Sequence, residues 1–169
     1  MGVVHHSPIT ENPCYPDSSM QDIAPMNKSL AALLFATLVG LSQADTKFPK
    51  GTLEPKDLEK AKTQAAAAKK SIAFVLTDKA TTCPLCQGAA AAFIDVLKSK
   101  AIIIFVNSED PSAQSSLPAA VTSEFNNGGN HIPKVVVTDA TAEKTTASIT
   151  YDTYKVDERK SLREFKKAL

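Results

Sequence analysis

Two short apolar runs separated by a helix-like segment constrain the fold of this chain most strongly. Ser71 to Thr77 (SIAFVLT) and Ala101 to Val106 (AIIIFV) are each flanked by polar residues. Runs of this length are typical of strands that are buried on both faces. Between them, Leu85 to Lys98 carries apolar residues at helical spacing. The order strand, helix, strand predicts two parallel strands joined by a right-handed crossover, and hence an α/β domain.

Further elements are predicted on both sides of this unit. Lys56 to Lys70 is rich in Ala, Lys, Glu and Gln, which favours a helix before the first strand. Asn107 to Pro118 is predicted to be a polar loop, and Pro118 to Phe125 a short helix. The turn-forming residues 126–130 come next.

The C-terminal third predicts two more strands and a final helix. Lys134 to Thr138 (KVVVT) is the third apolar run, and Thr145 to Tyr154 is predicted to be a fourth strand in which Tyr151 and Tyr154 pack. Asp157 is the expected N-cap of the last helix, because an aspartate before an amphipathic segment is typical of a helix start. The apolar face of that helix would consist of Leu162, Phe165 and Leu169.

Residues Met26 to Ala44 have the pattern of a secretory signal peptide. Lys28 supplies the basic n-region, Leu30 to Leu41 the apolar h-region, and Ser42-Gln43-Ala44 a small-x-small cleavage site. The apolar run is too short to span a membrane as a helix, which takes roughly 20 residues. We therefore expect a secreted or periplasmic protein with no membrane span after cleavage. A buried helix and an uncleaved anchor are the alternatives.

The segments before and after this signal have different expected fates. Residues 1–25 contain four prolines and no lysine or arginine, and are interpreted as a mis-assigned or unstructured N-terminal extension, with a long n-region as the alternative. Cys14, within them, is assigned no function. Residues 45–169 are expected to form one domain.

The overall charge and the aromatic content argue against nucleic acids and membrane surfaces as partners. The chain has 19 basic and 18 acidic residues, no tryptophan and three tyrosines. Such a balanced charge does not favour a nucleic acid or a membrane surface as the partner. Few aromatic rings are present for base stacking. We expect no nucleic-acid binding.

The sequence Cys83-Pro84-Leu85-Cys86 lies between the first strand and the helix that follows it. A cysteine at a helix N-terminus has a lowered pKa, and its thiolate is the reactive form. Pro84 fits the first helical turn, where no N–H is needed. In the chain-entropy model a disulfide that closes four residues stabilises a protein by only about 2 kcal/mol, against roughly 4.7 kcal/mol for a 100-residue loop. The spacing therefore favours redox chemistry over structural cross-linking.

A metal site and a fixed disulfide are the alternatives for this pair. His131 is a third potential ligand, but structural zinc takes four. We predict no metal and no bound cofactor.

The order of elements, the Cys-x-x-Cys motif and Ile132-Pro133 together resemble the thioredoxin superfamily, in particular its exported members. The resemblance covers about residues 55–169. It implies a thioredoxin-like α/β fold with a central mixed sheet flanked by helices. It also implies that Cys83 is the nucleophile, Cys86 the resolving cysteine, Pro133 a cis-proline beside the pair, and Ile132 a backbone contact for the substrate.

The chain departs from the family pattern at three places. Thr82 stands where many members have tryptophan, and Pro84-Leu85 replaces the Gly-Pro of thioredoxin. The buried acid of thioredoxin would fall around Leu76-Thr77, and Asp78 is expected in the following loop.

Two functional hypotheses follow. The first is a thiol–disulfide oxidoreductase, with protein thiols or disulfides as substrates and a redox partner that recycles the cysteine pair. The alternative is a non-catalytic binding module in which Cys83 and Cys86 form a structural disulfide.

Overall fold

The fold is built on a mixed four-stranded β-sheet. The computed structural model describes residues 46–80 and 83–169. The strands are β1 (Ser71–Thr77), β2 (Ala101–Asn107), β3 (Lys134–Thr138) and β4 (Thr145–Thr150). Their order across the sheet is β2-β1-β3-β4, with β1 parallel to β2, β1 antiparallel to β3, and β3 antiparallel to β4.

Within the described residues, six helices flank this sheet. They are α1 (Leu58–Ala68), α2 (Pro84–Leu97), α3 (Pro111–Ser115), α4 (Ala119–Asn127), α5 (Tyr151–Tyr154) and α6 (Glu158–Ala168). A 3-10 turn, Pro55–Asp57, leads into α1. The predicted thioredoxin-like α/β fold, a mixed sheet flanked by helices, is confirmed.

The core has two layers, because alternate residues of each strand face opposite sides of the sheet. On one side, Ala73 and Val75 of β1 pack with Phe93 of α2 and Phe165 of α6. On the other, residues 72, 74 and 76 of β1 pack with residues of α1 and α4. β1 is buried on both faces, as its apolar run predicts.

β2 is an edge strand, which the sequence did not distinguish from a central one. It was expected to be buried like β1, but Ile102 and Phe105 are half-buried. Leu53 covers part of this edge, because its N–H donates to the carbonyl of Ile103 and its own carbonyl accepts from the N–H of Phe105, both at 2.9 Å.

The expected loop from Asn107 to Pro118 contains the short helix α3, so that prediction was wrong. The Asp110 carboxylate accepts hydrogen bonds from the N–H groups of Ser112 and Ala113, and Pro111 occupies the first helical position. An N-cap followed by proline is a local helix start that the polar composition concealed.

The predicted fourth strand, Thr145 to Tyr154, was too long. β4 ends at Thr150, whose side chain accepts from the N–H of Thr153 in a capping box that begins α5. Tyr151 and Tyr154 therefore lie on a helix, where both pack against the core. The Tyr154 ring meets Phe93 edge-on at 5.3 Å between centroids.

Several sequence predictions fall outside the described residues. These are the extension 1–25, the signal peptide Met26 to Ala44, and Thr82. Within residues 46–80 and 83–169, no helix has the length and apolarity needed to cross a bilayer.

Candidate active site

Cys83 lies at the N-cap of α2, in the position that the sequence predicted. Its backbone is extended (φ −85°, ψ 105°), and Pro84 begins the helix. The Cys86 N–H, one of the helix-terminal donors without an intrahelical acceptor, donates to Cys83 Sγ at 3.3 Å. A helix N-terminus stabilises negative charge. This position therefore favours a thiolate on Cys83.

The two thiols ionise differently. Hydrogen bonding from the Cys86 thiol, and next from the Cys86 backbone N–H, lowers the pKa of Cys83. Burial raises the pKa of Cys86 to about 11, with further contributions from its hydrogen bond to Cys83, the charge of Cys83 and the charge of Asp78. No disulfide joins Cys83 to Cys86 in the structure, and both residues are half-buried. The proton of the pair consequently resides on Cys86 when Cys83 is a thiolate.

Asp78 directly follows β1 and is the carboxylate that acts on Cys86 through its charge. It is half-buried, and the Ser108 hydroxyl, just beyond the end of β2, donates to its Oδ1. As expected, Asp78 lies in the loop and not in the strand. Thr77 is the last residue of β1, and its hydroxyl is fully buried with no hydrogen-bond partner among the described residues.

Ile132 and Pro133 lie at the same end of the sheet as the cysteine motif. β3 runs antiparallel to β1 with Lys134 opposite Leu76, so Pro133 comes next to the carboxyl end of β1. The chain leads from that end into Cys83. The Ile132–Pro133 peptide bond is cis, as the resemblance implies.

The segment before β3 is tied to α5. The Tyr151 N–H donates to the Pro133 carbonyl at 2.8 Å. His131 Nδ1 lies 2.8 Å from Asp152 Oδ1, to which Lys155 also donates at 2.6 Å. His131 is thus engaged by a carboxylate. Among the described residues, no group of three or more His, Cys, Asp or Glu side chains is placed to hold a metal ion.

A cleft of about 220 Å³ lies beyond the carboxyl end of β2, among Glu54, Lys79, Phe105 and Asp110. Neither cysteine lines it. The cysteine pair instead lies at the start of α2, where both residues are half-buried.

The sequence predicted that the two cysteines and Pro133 lie at one site, but it did not predict the residues that contact them and their neighbours. Tyr151 and Asp152 had no signal, because they were assigned to a strand. Ser108 is 30 residues from Asp78, and no pattern linked the two. Lys134 did carry a signal, namely a charged residue at the start of a buried apolar run.

Comparisons with known proteins add little to this description. No protein-family model matches the sequence, and no curated protein matches it. A solved structure titled "DsbH Oxidoreductase" aligns with 86% of this chain and 95% of its own, at 12% sequence identity and a TM-score of 0.39. A likeness this distant carries no weight for activity, and the fold is defined by the strand order of the sheet.

Proposed function

We propose that this protein is a thiol–disulfide oxidoreductase that acts on proteins outside the cytosol through Cys83 and Cys86. One observation carries the proposal: Cys83 is the N-cap of α2, and its sulfur accepts the Cys86 N–H. Such a position stabilises the thiolate, which is the nucleophile in disulfide exchange.

The first step is attack on a substrate disulfide. The Cys83 thiolate forms a bond to one sulfur of the substrate, and the substrate S–S bond breaks. The second substrate sulfur leaves as a thiolate and takes a proton from solvent. Cys83 and the substrate are then joined by a mixed disulfide.

The second step closes the cysteine pair. Cys86 loses its proton and attacks Cys83 Sγ; the bond between Cys83 and the substrate breaks, and the remaining substrate sulfur leaves as a thiolate that takes up a proton. The substrate has gained two electrons and two protons, and the pair has become a disulfide. A dithiol partner would return it to the reduced state, and the reverse sequence would oxidise a substrate dithiol.

In this cycle Ile132 supplies backbone contacts to the substrate and Pro133 packs beside the pair. Support for these roles comes from the register of β3, which brings both residues to the end of β1. Export through the signal peptide would place the protein where substrate disulfides persist.

The deciding experiment is the reduction potential of the pair, measured by glutathione titration with thiol labelling of the purified protein. We expect a value between roughly −270 and −120 mV, the range of catalytic oxidoreductases. A pair that stays oxidised below about −300 mV would be structural. The protein would then be a non-catalytic binding module and not an enzyme.

A further inference from the structure

Lys134, the residue after Pro133, is a buried cation at the edge of the candidate site. It is 7% exposed and begins a strand whose other residues are valines and a threonine. Burial lowers the pKa of its ammonium group. Burying an ammonium group costs free energy unless its N–H groups are hydrogen-bonded. The groups that accept these hydrogen bonds therefore indicate the structural role of the side chain.

The Lys134 ammonium joins two different parts of the chain. Nζ donates to the carbonyl of Phe125 at 2.6 Å and to the carbonyl of Gly129 at 2.5 Å. Phe125 lies in the last turn of α4, where the final carbonyls have no intrahelical donor and where a cation is favourable. The same ammonium therefore caps α4 and fixes the segment that follows it.

That segment, residues 129–133, has little room to move. Gly129 has φ +82°, and a Cβ there would collide with the Asp152 carboxylate. Asp152 also binds His131, and the Tyr151 N–H binds the Pro133 carbonyl. The segment is thus held on one side by α5 and on the other by Lys134.

We propose that Lys134 is a positioning residue for segment 129–133, and that it sets how well the site binds its protein substrate. This inference rests on the proposed function, because the segment includes the backbone of Ile132, the expected substrate contact. Lys134 itself takes no part in the exchange of electrons. It holds the backbone of residues 129–133 in the position in which a bound substrate disulfide lies within reach of Cys83.

The test compares Lys134→Met with Lys134→Arg. Methionine keeps much of the side-chain length but removes the donors, whereas arginine retains charge and donors. Lys144→Met is the matched control, because Lys144 is exposed in the turn at the far end of the same β3–β4 hairpin. If Lys134→Met does not fold, Lys134→Gln takes its place, because the shorter glutamine side chain cannot place a donor where Nζ meets the carbonyls of Phe125 and Gly129.

The first readout is amide order parameters from ¹⁵N relaxation. In Lys134→Met we expect the order parameters of the amides of residues 129–132 to fall from about 0.85 toward 0.6 or below, while those of β1 and α2 stay unchanged. In Lys134→Arg and Lys144→Met they should stay near the wild-type values. Unchanged values in Lys134→Met, or an equal fall throughout the sheet, would overturn the proposal.

The second readout is the reduction of a disulfide-bonded protein substrate. We expect Lys134→Met to raise KM about tenfold with kcat within about twofold, the signature of lost binding. The Cys83 alkylation rate should stay at the wild-type value. An equal fall in kcat and kcat/KM with unchanged KM would overturn the positioning role. If the wild-type protein reduces no substrate, the proposed function fails, while the relaxation data still decide whether Lys134 holds the segment.

Discussion

Cys83 and Cys86 share a single helical turn, yet their pKa values shift in opposite directions. Cys83 is at the helix end, where it receives the Cys86 thiol and backbone N–H as donors. Cys86 lies one turn further in, where burial opposes its ionisation. The asymmetry arises because Cys83 accepts hydrogen bonds from Cys86 whereas Cys86 is more buried, and it supports the proposed roles of Cys83 as the nucleophile and Cys86 as the resolving thiol.

The pH dependence of alkylation tests this asymmetry. Of the pair Cys83 and Cys86 in the reduced wild-type protein, iodoacetamide should modify Cys83 alone near neutral pH, because the pKa of Cys86 is about 11. The midpoint of the rate profile for Cys83 should lie below that of an ordinary cysteine, because hydrogen bonding from Cys86 lowers the pKa of Cys83.

A substitution at Cys86 provides the control for that profile. Cys86→Ala removes the thiol donor, the largest cause of the lowered Cys83 pKa, but keeps the backbone N–H. The midpoint for Cys83 should therefore move up and stay below the ordinary value. An identical profile in the two proteins would show that the Cys86 thiol does not stabilise the Cys83 thiolate.

Single-serine variants separate the two roles of the pair. Cys83→Ser should abolish disulfide reduction, because no thiolate remains at the helix N-terminus. Cys86→Ser should accumulate mixed disulfides with substrate, because the resolving step is blocked. Non-reducing gels and intact mass spectrometry report both outcomes. Accumulation in Cys83→Ser and none in Cys86→Ser would reverse the assignment.

At the scale of elements, α6 depends on its N-cap as well as on its buried face. The Asp157 carboxylate accepts the Lys160 N–H at 2.9 Å, and Phe165 is the buried side chain of the helix. Asp157→Ala should lower the free energy of unfolding by about 1 kcal/mol, the usual cost of losing such a cap. Urea unfolding monitored by circular dichroism measures this change.

Asp95→Ala is the control for the loss of a carboxylate. Asp95 pairs with Lys98 on the surface of α2 at 2.5 Å, and exposed ion pairs contribute little to stability. Its unfolding midpoint should stay close to that of the wild-type protein. An equal decrease in the free energy of unfolding of Asp157→Ala and Asp95→Ala would show that Asp157 acts through its charge alone and not as an N-cap.

The elements that the sequence predicted well are those with a continuous apolar pattern. β1 and β3 have the predicted bounds, Ser71–Thr77 and Lys134–Thr138, because burial on both faces leaves an uninterrupted run. The helices α3 and α5 were missed, because each depends on a single side-chain cap, at Asp110 and at Thr150. A cap involves only about three residues. The prediction for each segment followed its longer composition pattern, a polar loop in one case and a strand in the other, and so missed the cap.

At the scale of the whole molecule, contacts between distant segments could not be predicted from the sequence. The cysteine motif was predictable because its chemistry lies within four consecutive residues. The contact between His131 and Asp152 spans 21 residues and depends on where β4 ends. Since β4 was predicted to run on through Asp152, the carboxylate that fixes His131 could not be placed.

The signal peptide can be tested on the full chain. Expressed in a Gram-negative host, the protein should be cleaved after Ala44 and recovered from the periplasm, with a mature N-terminus at Asp45. Leu34→Asp places a charge within the apolar h-region and should leave the chain unprocessed in the cytosol. Intact mass and N-terminal sequencing of each fraction measure this. An uncleaved wild-type chain in the cytosol would contradict the signal peptide. It would also place the cysteine pair in a reducing compartment, where a role as a reductase would be favoured over oxidation.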